Sequence, residues 1–389
     1  MNNILTLNKI AACGTDIFDK AAYTVGDAVE NPTAIMVRSA KMHDMEFGKD
    51  LLAIARAGAG VNNIPVDKCA EQGIVVFNTP GANANAVKEL AIAAMLLASR
   101  DIVGGINWVQ TVKDDETVAK LVEKGKSKFA GTEIKGKTLG IIGLGAIGGP
   151  LGNAALGLGM KVIGFDPFLS DAAKAALDPA IEIVGSRDDI YKNSDFISVH
   201  TPLIDDPDPD KNTKKMINAD KIALMKDGVI VLNLARDLLV DDEAMKAALE
   251  SGKVRKYVTD FPNPASANMA GAIAIPHLGA STEEAEDNCA AMAVKQVVDY
   301  VENGNIINSV NYPRVDLGAK QGARIAVRYD AEAVADIVTA VNGVGLVINA
   351  VKDGKRGKVG YCLIDAKEAP TAAVDAIKAI AGVRKVDVL

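Results

Sequence analysis

The stretch TLGIIGLGAIG at residues 138 to 148 constrains this chain more than any other, because Gly143, Gly145 and Gly148 close an apolar run and open a helical pattern. A GxGxxG in isolation is a weak signal. Here TLGII reads as a buried strand, the residues after Gly148 as a helix to Leu158 stopped by Gly159, and KVIGF as a second strand running into Asp166. That acidic residue lies close to the expected spacing of about 20 residues for a dinucleotide-binding unit. The first glycine permits the tight turn, the second lets the backbone approach a pyrophosphate, and the third lets helix and strand pack; Ala146 and Ile147 complete the turn. Asp166 would accept from ribose hydroxyls and repel a 2′-phosphate, so NAD is expected rather than NADP.

Further apolar runs, FISVH at 196 to 200 and VIVLNLA at 229 to 235, extend this into a doubly wound parallel sheet. With 35 glycines, 49% hydrophobic residues and only 4% aromatics, an α/β class is expected. Upstream, AIMV at 34 to 37 and IVVF at 74 to 77, with a helical pattern around 47 to 55, predict a smaller α/β unit. AVKELAIAAMLLASR at 86 to 100 reads as a helix bridging the two units. A second long helix runs from Thr282 to Asn303 and stops at Gly304, and these two helices offer a hinge. Residues 307 to 323 read as a linker. After them, RIAVRY, a helix over 331–341, LVINAVKD, GKVGYCLID, a helix over 371–380 and VRKVDVL give a ferredoxin-like βαββαβ unit.

Several classes of function are disfavoured. Lys plus Arg number 43 against 50 Asp plus Glu, a net charge of −7, so there is no basic field for nucleic acid. An anionic small substrate then needs locally placed arginines. Cys13, Cys69, Cys289 and Cys362 show no CxxC and the three histidines lie far apart, so no structural metal is expected; reduced thiols suit a cytoplasmic setting. The start lacks a basic region with a long apolar run, and AIAAMLLA at 91 to 98 is too short to span a bilayer, so no membrane association is expected. DDPDPDKN at 205 to 212 reads as a solvated connector.

The candidate chemistry sits at strand ends. Arg236 follows VIVLNLA, at the carboxyl end where ligands bind in such sheets; its planar guanidinium can hold a carboxylate and polarise a carbonyl, or merely cap a strand. His277, after AIAIP and before a glycine turn, can take a hydroxyl proton as hydride leaves the same carbon. Arg38 and Arg56 end apolar runs in the first unit, and AGAG at 57 to 60 presents unobstructed amides, a group suited to a carboxylate or phosphate. Asn83 and Lys88 either line the cleft or face solvent.

These stretches, with VRSA at 37 to 40, ARAGAGVNNI at 55 to 64, VVFNTPGANANAVKELAIAAML at 75 to 96, GTEIKGKTLGIIGLGAIG at 131 to 148, VHTPL at 199 to 203, VLNLAR at 231 to 236 and PHLGAST at 276 to 282, resemble the D-isomer-specific 2-hydroxyacid dehydrogenases, and among them the branch that acts on phosphoglycerate. The resemblance covers most of residues 35 to 315. It implies a Rossmann NAD domain at 94–281 inserted in a smaller flavodoxin-like substrate domain made of 1–93 and 282–314, and it makes 322–389 similar to an ACT domain, regulatory or oligomerising. It implies that Arg236 binds the substrate and His277 is the general acid/base. Arg38, Ser39, Arg56, Gly58, Ala59, Gly60 and Asn83 would hold the phosphorylated substrate. His200, Thr201, Pro202, Ala235, Asp260 and Gly279 would join the glycine turn and Asp166 around the cofactor. A homodimer or homotetramer is expected.

The chain departs from the family in three places. Where the family carries an acidic partner for the histidine, TDFPNP at 259 to 264 offers Asn263 or Pro264, which predicts a less stabilised imidazolium and a shifted pH profile. Asp237 replaces a glycine after the arginine, which alters the loop more than the chemistry. The start of the ACT-like unit lacks the residues that usually bind an amino acid effector. The resemblance implies NAD-dependent oxidation of 3-phosphoglycerate to 3-phosphohydroxypyruvate, the opening step of serine synthesis. Second comes another D-2-hydroxy acid or hydroxypyruvate-like oxoacid, and third an NAD-sensing protein whose catalysis has decayed.

Overall fold

A computed structural model describes residues 1–209, 211–369 and 371–389. The acidic connector at 205 to 212 therefore includes one residue outside the described ones. Contacts divide the chain into one unit of Met1–Asn83 with Glu283–Leu389 and a second of Ala84–Thr282.

The first unit contains two sheets. Strands β1 (Asn2–Leu7), β2 (Tyr23–Gly26), β3 (Ala34–Val37), β4 (Ala53–Arg56) and β5 (Val75–Phe77) form an all-parallel sheet in the order β2-β1-β3-β4-β5. Ala34–Val37 is buried throughout, as its uninterrupted apolar run predicts. No helix forms around 47 to 55. Gly48 starts a turn, with the Leu51 amide donating to its carbonyl, and residues 53 to 56 are drawn into β4 between two strands. Sheet pairing on both sides outweighs a short helical pattern that lacks a cap.

The helix Glu283–Asn303 buries Ala285, Cys289, Ala293, Gln296, Val297 and Tyr300 along one stripe, and Gly304 ends it at φ 73°. The segment after it is not a loose linker. Tyr312 and Val315 are fully buried, and Asn311 bonds both the amide of Val76 and the carbonyl of Ile74.

The C-terminal sheet, from β13 (Ala323–Asp330), β14 (Ile348–Arg356), β15 (Val359–Ala366) and β16 (Val383–Val388), is antiparallel in the order β14-β15-β13-β16. Helices Val334–Gly343 and Thr371–Lys378 supply its own core. The residues that alternate to the opposite face, Ala326, Val359, Tyr361 and Leu363, join the core of the first sheet and the long helix. Two fully buried arginines accompany them. Arg324 pairs bidentately with Asp365 at 2.5 and 2.8 Å and donates to the carbonyls of Asn303 and Gly318. Arg328 meets the hydroxyl of Tyr300 and the carboxylate of Asp387.

In the second unit, β6 (Thr138–Ile142), β7 (Lys161–Phe165), β8 (Glu182–Ile183), β9 (Phe196–Val199), β10 (Val229–Asn233), β11 (Val254–Thr259) and β12 (Ala272–Ala274) form a parallel sheet ordered β12-β11-β10-β9-β6-β7-β8. Strand order reverses between β6 and β9, the place where such sheets bind ligands. The helix Ala84–Ser99 lays Val87, Ala91, Ala94, Met95 and Ala98 on this sheet's core. Two further helices, Ile102–Val112 and Val118–Gly125, follow it.

Candidate active site

The glycine turn adopts the form its spacing predicts. Gly143 has φ 94°, and a side chain there would meet the carbonyl of His200 at 2.5 Å. At Gly148 an added Cβ would stand 1.9 Å from the carbonyl oxygen of Gly143, so the helix Gly148–Gly157 can start only on glycine. Gly145 and Ala146 are exposed and Ile147 is half-buried at that helix N-terminus, where backbone amides gather partial positive charge. Asp166 follows β7 and accepts from the amides of Leu144 and Phe168, each at 2.9 Å. One lone pair on each of its oxygens remains for a ribose.

Across the switch point lie atoms that the protein itself leaves without partners. Nδ1 of His200, Oγ1 of Thr201 and Oδ1 of Asp260 are buried and unbonded. Nε2 of His200 meets Oγ of Ser198 at 2.8 Å, and burial pushes this imidazole down to about 4. Pro202 is exposed beside them. Buried polar atoms without partners are costly unless a ligand supplies them. The turn, the acid on β7 and these orphaned atoms fit a nicotinamide dinucleotide.

Arg236 and His277 are brought together through an aromatic ring. The Arg236 guanidinium lies 5.4 Å from the centroid of Phe261, and the imidazole of His277 lies 4.3 Å from it at an interplanar angle of 42°. Both side chains are exposed. Arg236 follows β10 in extended backbone, and Nη1 donates to the carbonyl of Ala235 at 2.6 Å. Buried Asn233 holds that turn: its Oδ1 accepts from the amides of Ala235 and Arg236 while Nδ2 donates to the carbonyl of Arg236. Asp237 opens a short 3-10 turn and accepts from the amide of Leu238, so this position needs no glycine.

His277 sits at φ 39°, and its amide donates to the carbonyl of Asp260 at 3.0 Å. Oδ2 of Asp260 accepts from the amide of Gly279 at 3.1 Å, where a larger residue would press on it at 2.9 Å. Asp260 thus anchors both sides of the histidine turn, its backbone carbonyl on one side and its buried carboxylate on the other. Burial pushes that carboxyl above its ordinary range, against the opposing charges of His277 and Arg236. Asn263 does not face His277. Its Oδ1 accepts from the amides of Ala265 and Ser266, and its Nδ2 donates to Asp242 at 2.8 Å.

In the first unit, Arg56 ends β4 in register with Val37 of β3, and Arg38 follows Val37 directly. Nε of Arg56 donates to the carbonyl of Arg38 at 2.9 Å, and Nη1 to the carbonyl of Gly60. Thr79 and Asn78 pin the 57–60 loop: the amide of Gly58 donates to Oγ1 of Thr79 at 2.8 Å, and Asn78 donates to the carbonyl of Ala59 at 2.6 Å. Ser39 is exposed, its amide bonded to Asn8. Asn83 is half-buried at the end of this unit. Lys88, in the second unit, donates to Asn85 at 2.5 Å. Nη2 of Arg38 pairs with Glu286 at 2.5 Å.

Sequence reasoning did not single out Phe261, Asn233 or Glu286. Phe261 and Asn233 lie inside TDFPNP and VLNLAR, so proximity to the arginine and histidine was the available signal. Glu286 gave none, since it is one of several acids opening a long helix.

Residues 92–279 match the family model of the D-isomer specific 2-hydroxyacid dehydrogenase NAD-binding domain. The hydroxypyruvate reductase of Thermotoga maritima is 39% identical over 262 residues, covering 65% of this chain and 78% of the relative. The D-3-phosphoglycerate dehydrogenase of Methanocaldococcus jannaschii is 34% identical over 283 residues, covering 70% and 51%. This chain spans about half the length of the curated phosphoglycerate dehydrogenases it matches. The solved structure of NAD+-bound 3-phosphoglycerate dehydrogenase from Entamoeba histolytica superposes with a TM-score of 0.61 at 26% identity, covering 80% of this chain and 98% of that one. The chain belongs to the D-isomer specific 2-hydroxyacid dehydrogenase family. Its second unit is that family's NAD-binding domain, and NAD is its cofactor.

Proposed function

We propose that this chain oxidises D-3-phosphoglycerate to 3-phosphohydroxypyruvate, a reaction that opens a route to serine. NAD supplies the hydride acceptor when bound. His277 takes the proton from the 2-hydroxyl, and Arg236 holds the carboxylate and the developing carbonyl. Arg38, Arg56 and the amides of 58–60 hold the phosphorylated end, with Ser39 and Asn83 beside them. The observation that carries this reading is the juxtaposition of Arg56, at the end of β4, with Arg38, just past the neighbouring strand β3, joined through the Arg38 carbonyl. A substrate without an anionic tail has no use for it. The name of the Thermotoga maritima relative favours a second reading, reduction of hydroxypyruvate.

The test follows NADH absorbance with 3-phosphohydroxypyruvate and hydroxypyruvate, beside His277→Ala. Turnover selective for the phosphorylated compound and lower by about 10²-fold or more in the variant is expected. Equal or better turnover of hydroxypyruvate would overturn the substrate assignment.

The same reading extends to assembly as a homodimer. The helix Ile102–Val112 buries none of its residues, and Ile102, Val103, Ile106 and Val109 are exposed along one face. A second copy is the expected cover, alone or within a tetramer. All four cysteines are free thiols, which supports a cytoplasmic setting. Among the described residues no helix is long and apolar enough to cross a membrane.

A further inference from the structure

Arg38, just past β3, and Arg56, at the end of β4, stand side by side. Arg56 donates to the carbonyls of Arg38 and Gly60. Arg38 is held by a carboxylate, with Nη2 2.5 Å from Oε1 of Glu286 and both side chains 41% exposed. Glu286 stands in the first turn of the helix Glu283–Asn303, one turn before Cys289. The Cys289 thiol, lifted chiefly by burial, lies within the electrostatic reach of Arg56, Arg38 and Glu286 together.

We propose that Glu286 is a specificity-determining residue that occupies Arg38 in the free protein, so that the anionic tail of a substrate must displace an internal carboxylate to reach it. The inference rests on the assignment of Arg38 to the substrate's tail. A carboxylate and a phosphate offer a guanidinium the same paired oxygens, so they compete for one fork. The competitor is weak, because an exposed pair in a helix's first turn has water and the helix dipole as alternatives. A tail bearing two charges displaces it, whereas an uncharged hydroxymethyl tail leaves it in place. Glu286 therefore costs a phosphorylated substrate some affinity while leaving a neutral one nearly untouched, and it limits capture of weaker anions.

The experiment compares Glu286→Gln with Glu284→Gln, which removes the same charge from the same helical turn but does not pair with Arg38. Glu286→Gln is expected to lower KM for 3-phosphohydroxypyruvate by roughly two- to fivefold, the range for an exposed pair, with KM for hydroxypyruvate kept within about twofold. Competitive inhibition by inorganic phosphate should tighten by the same factor. The difference should shrink at about 1 M salt, where screening acts over about 3 Å. Equal shifts in the two variants, or looser phosphate inhibition in Glu286→Gln, would overturn the proposal. The phosphate readout separates the two ideas. If wild type reduces only hydroxypyruvate, the substrate assignment fails, and phosphate inhibition still decides whether Glu286 guards Arg38.

Discussion

Replacing Gly145 by alanine separates cofactor binding from folding in a single methyl group. A Cβ built at Gly145 meets nothing within 4 Å, the residue is exposed, and its φ lies outside the left-handed region. Folding should therefore tolerate alanine, and the lost freedom of the unfolded chain stabilises by about 0.4–1 kcal/mol. The bound cofactor is a different matter. The second glycine of this turn is where a pyrophosphate approaches the backbone, and a methyl group forced into such a contact costs about 1–3 kcal/mol. At about 1.4 kcal/mol per tenfold, NADH affinity should fall roughly 5- to 150-fold. Gly148→Ala is the matching control, because its Cβ would strike the Gly143 carbonyl at 1.9 Å and Ile141 at 2.9 Å. NADH titration by fluorescence and thermal unfolding on both variants reads the two effects. Gly145→Ala should keep or slightly raise its Tm and lose affinity; Gly148→Ala should lose both. Unchanged NADH affinity in Gly145→Ala would falsify the placement of the pyrophosphate, and a wild-type Tm for Gly148→Ala would refute the packing argument.

Two further outcomes concern buried charge. Asp365→Ala leaves Arg324 fully buried without its carboxylate, a loss of about 3–5 kcal/mol, and at roughly 2–4 °C per kcal/mol the first unit should melt some 6 °C or more lower by calorimetry. A shift under about 2 °C would mean that the carbonyls of Asn303 and Gly318 suffice for the guanidinium. His200, held neutral with its pKa near 4, takes up a proton in the unfolded chain first, so stability should rise with pH from about 4 to 6.5, be complete above that and be lost as pH falls. Denaturant titrations across that window should show this slope in wild type and its loss in His200→Asn; parallel slopes would contradict it.

The residues that did not follow local pattern show where tertiary forces took over. The pattern around 47 to 55 is helical on paper, yet the two strands beside residues 53 to 56 recruit them into the sheet. Residues 307 to 323 lack periodicity and read as a linker, but their side chains fill the seam beneath the C-terminal sheet, and that packing is invisible to any periodic template. The helix Ile102–Val112 keeps Ile102, Val103, Ile106 and Val109 exposed, so among the described residues that apolar face is not packed away.

By itself the sequence determined the two α/β units, the βαββαβ end, the dinucleotide turn and the strand-end positions of Arg38, Arg236 and His277. These follow from short-range rules: apolar period, glycine where a Cβ cannot fit, and the residue that ends a buried strand. Only the tertiary structure decided what stands beside each charge. It put Phe261 beside both Arg236 and His277, gave Asn263 to Asp242, set Asp260 under the histidine turn and brought Glu286 to Arg38 across 248 residues of chain. Such pairings depend on where whole elements come to rest, and no spacing rule reaches that far.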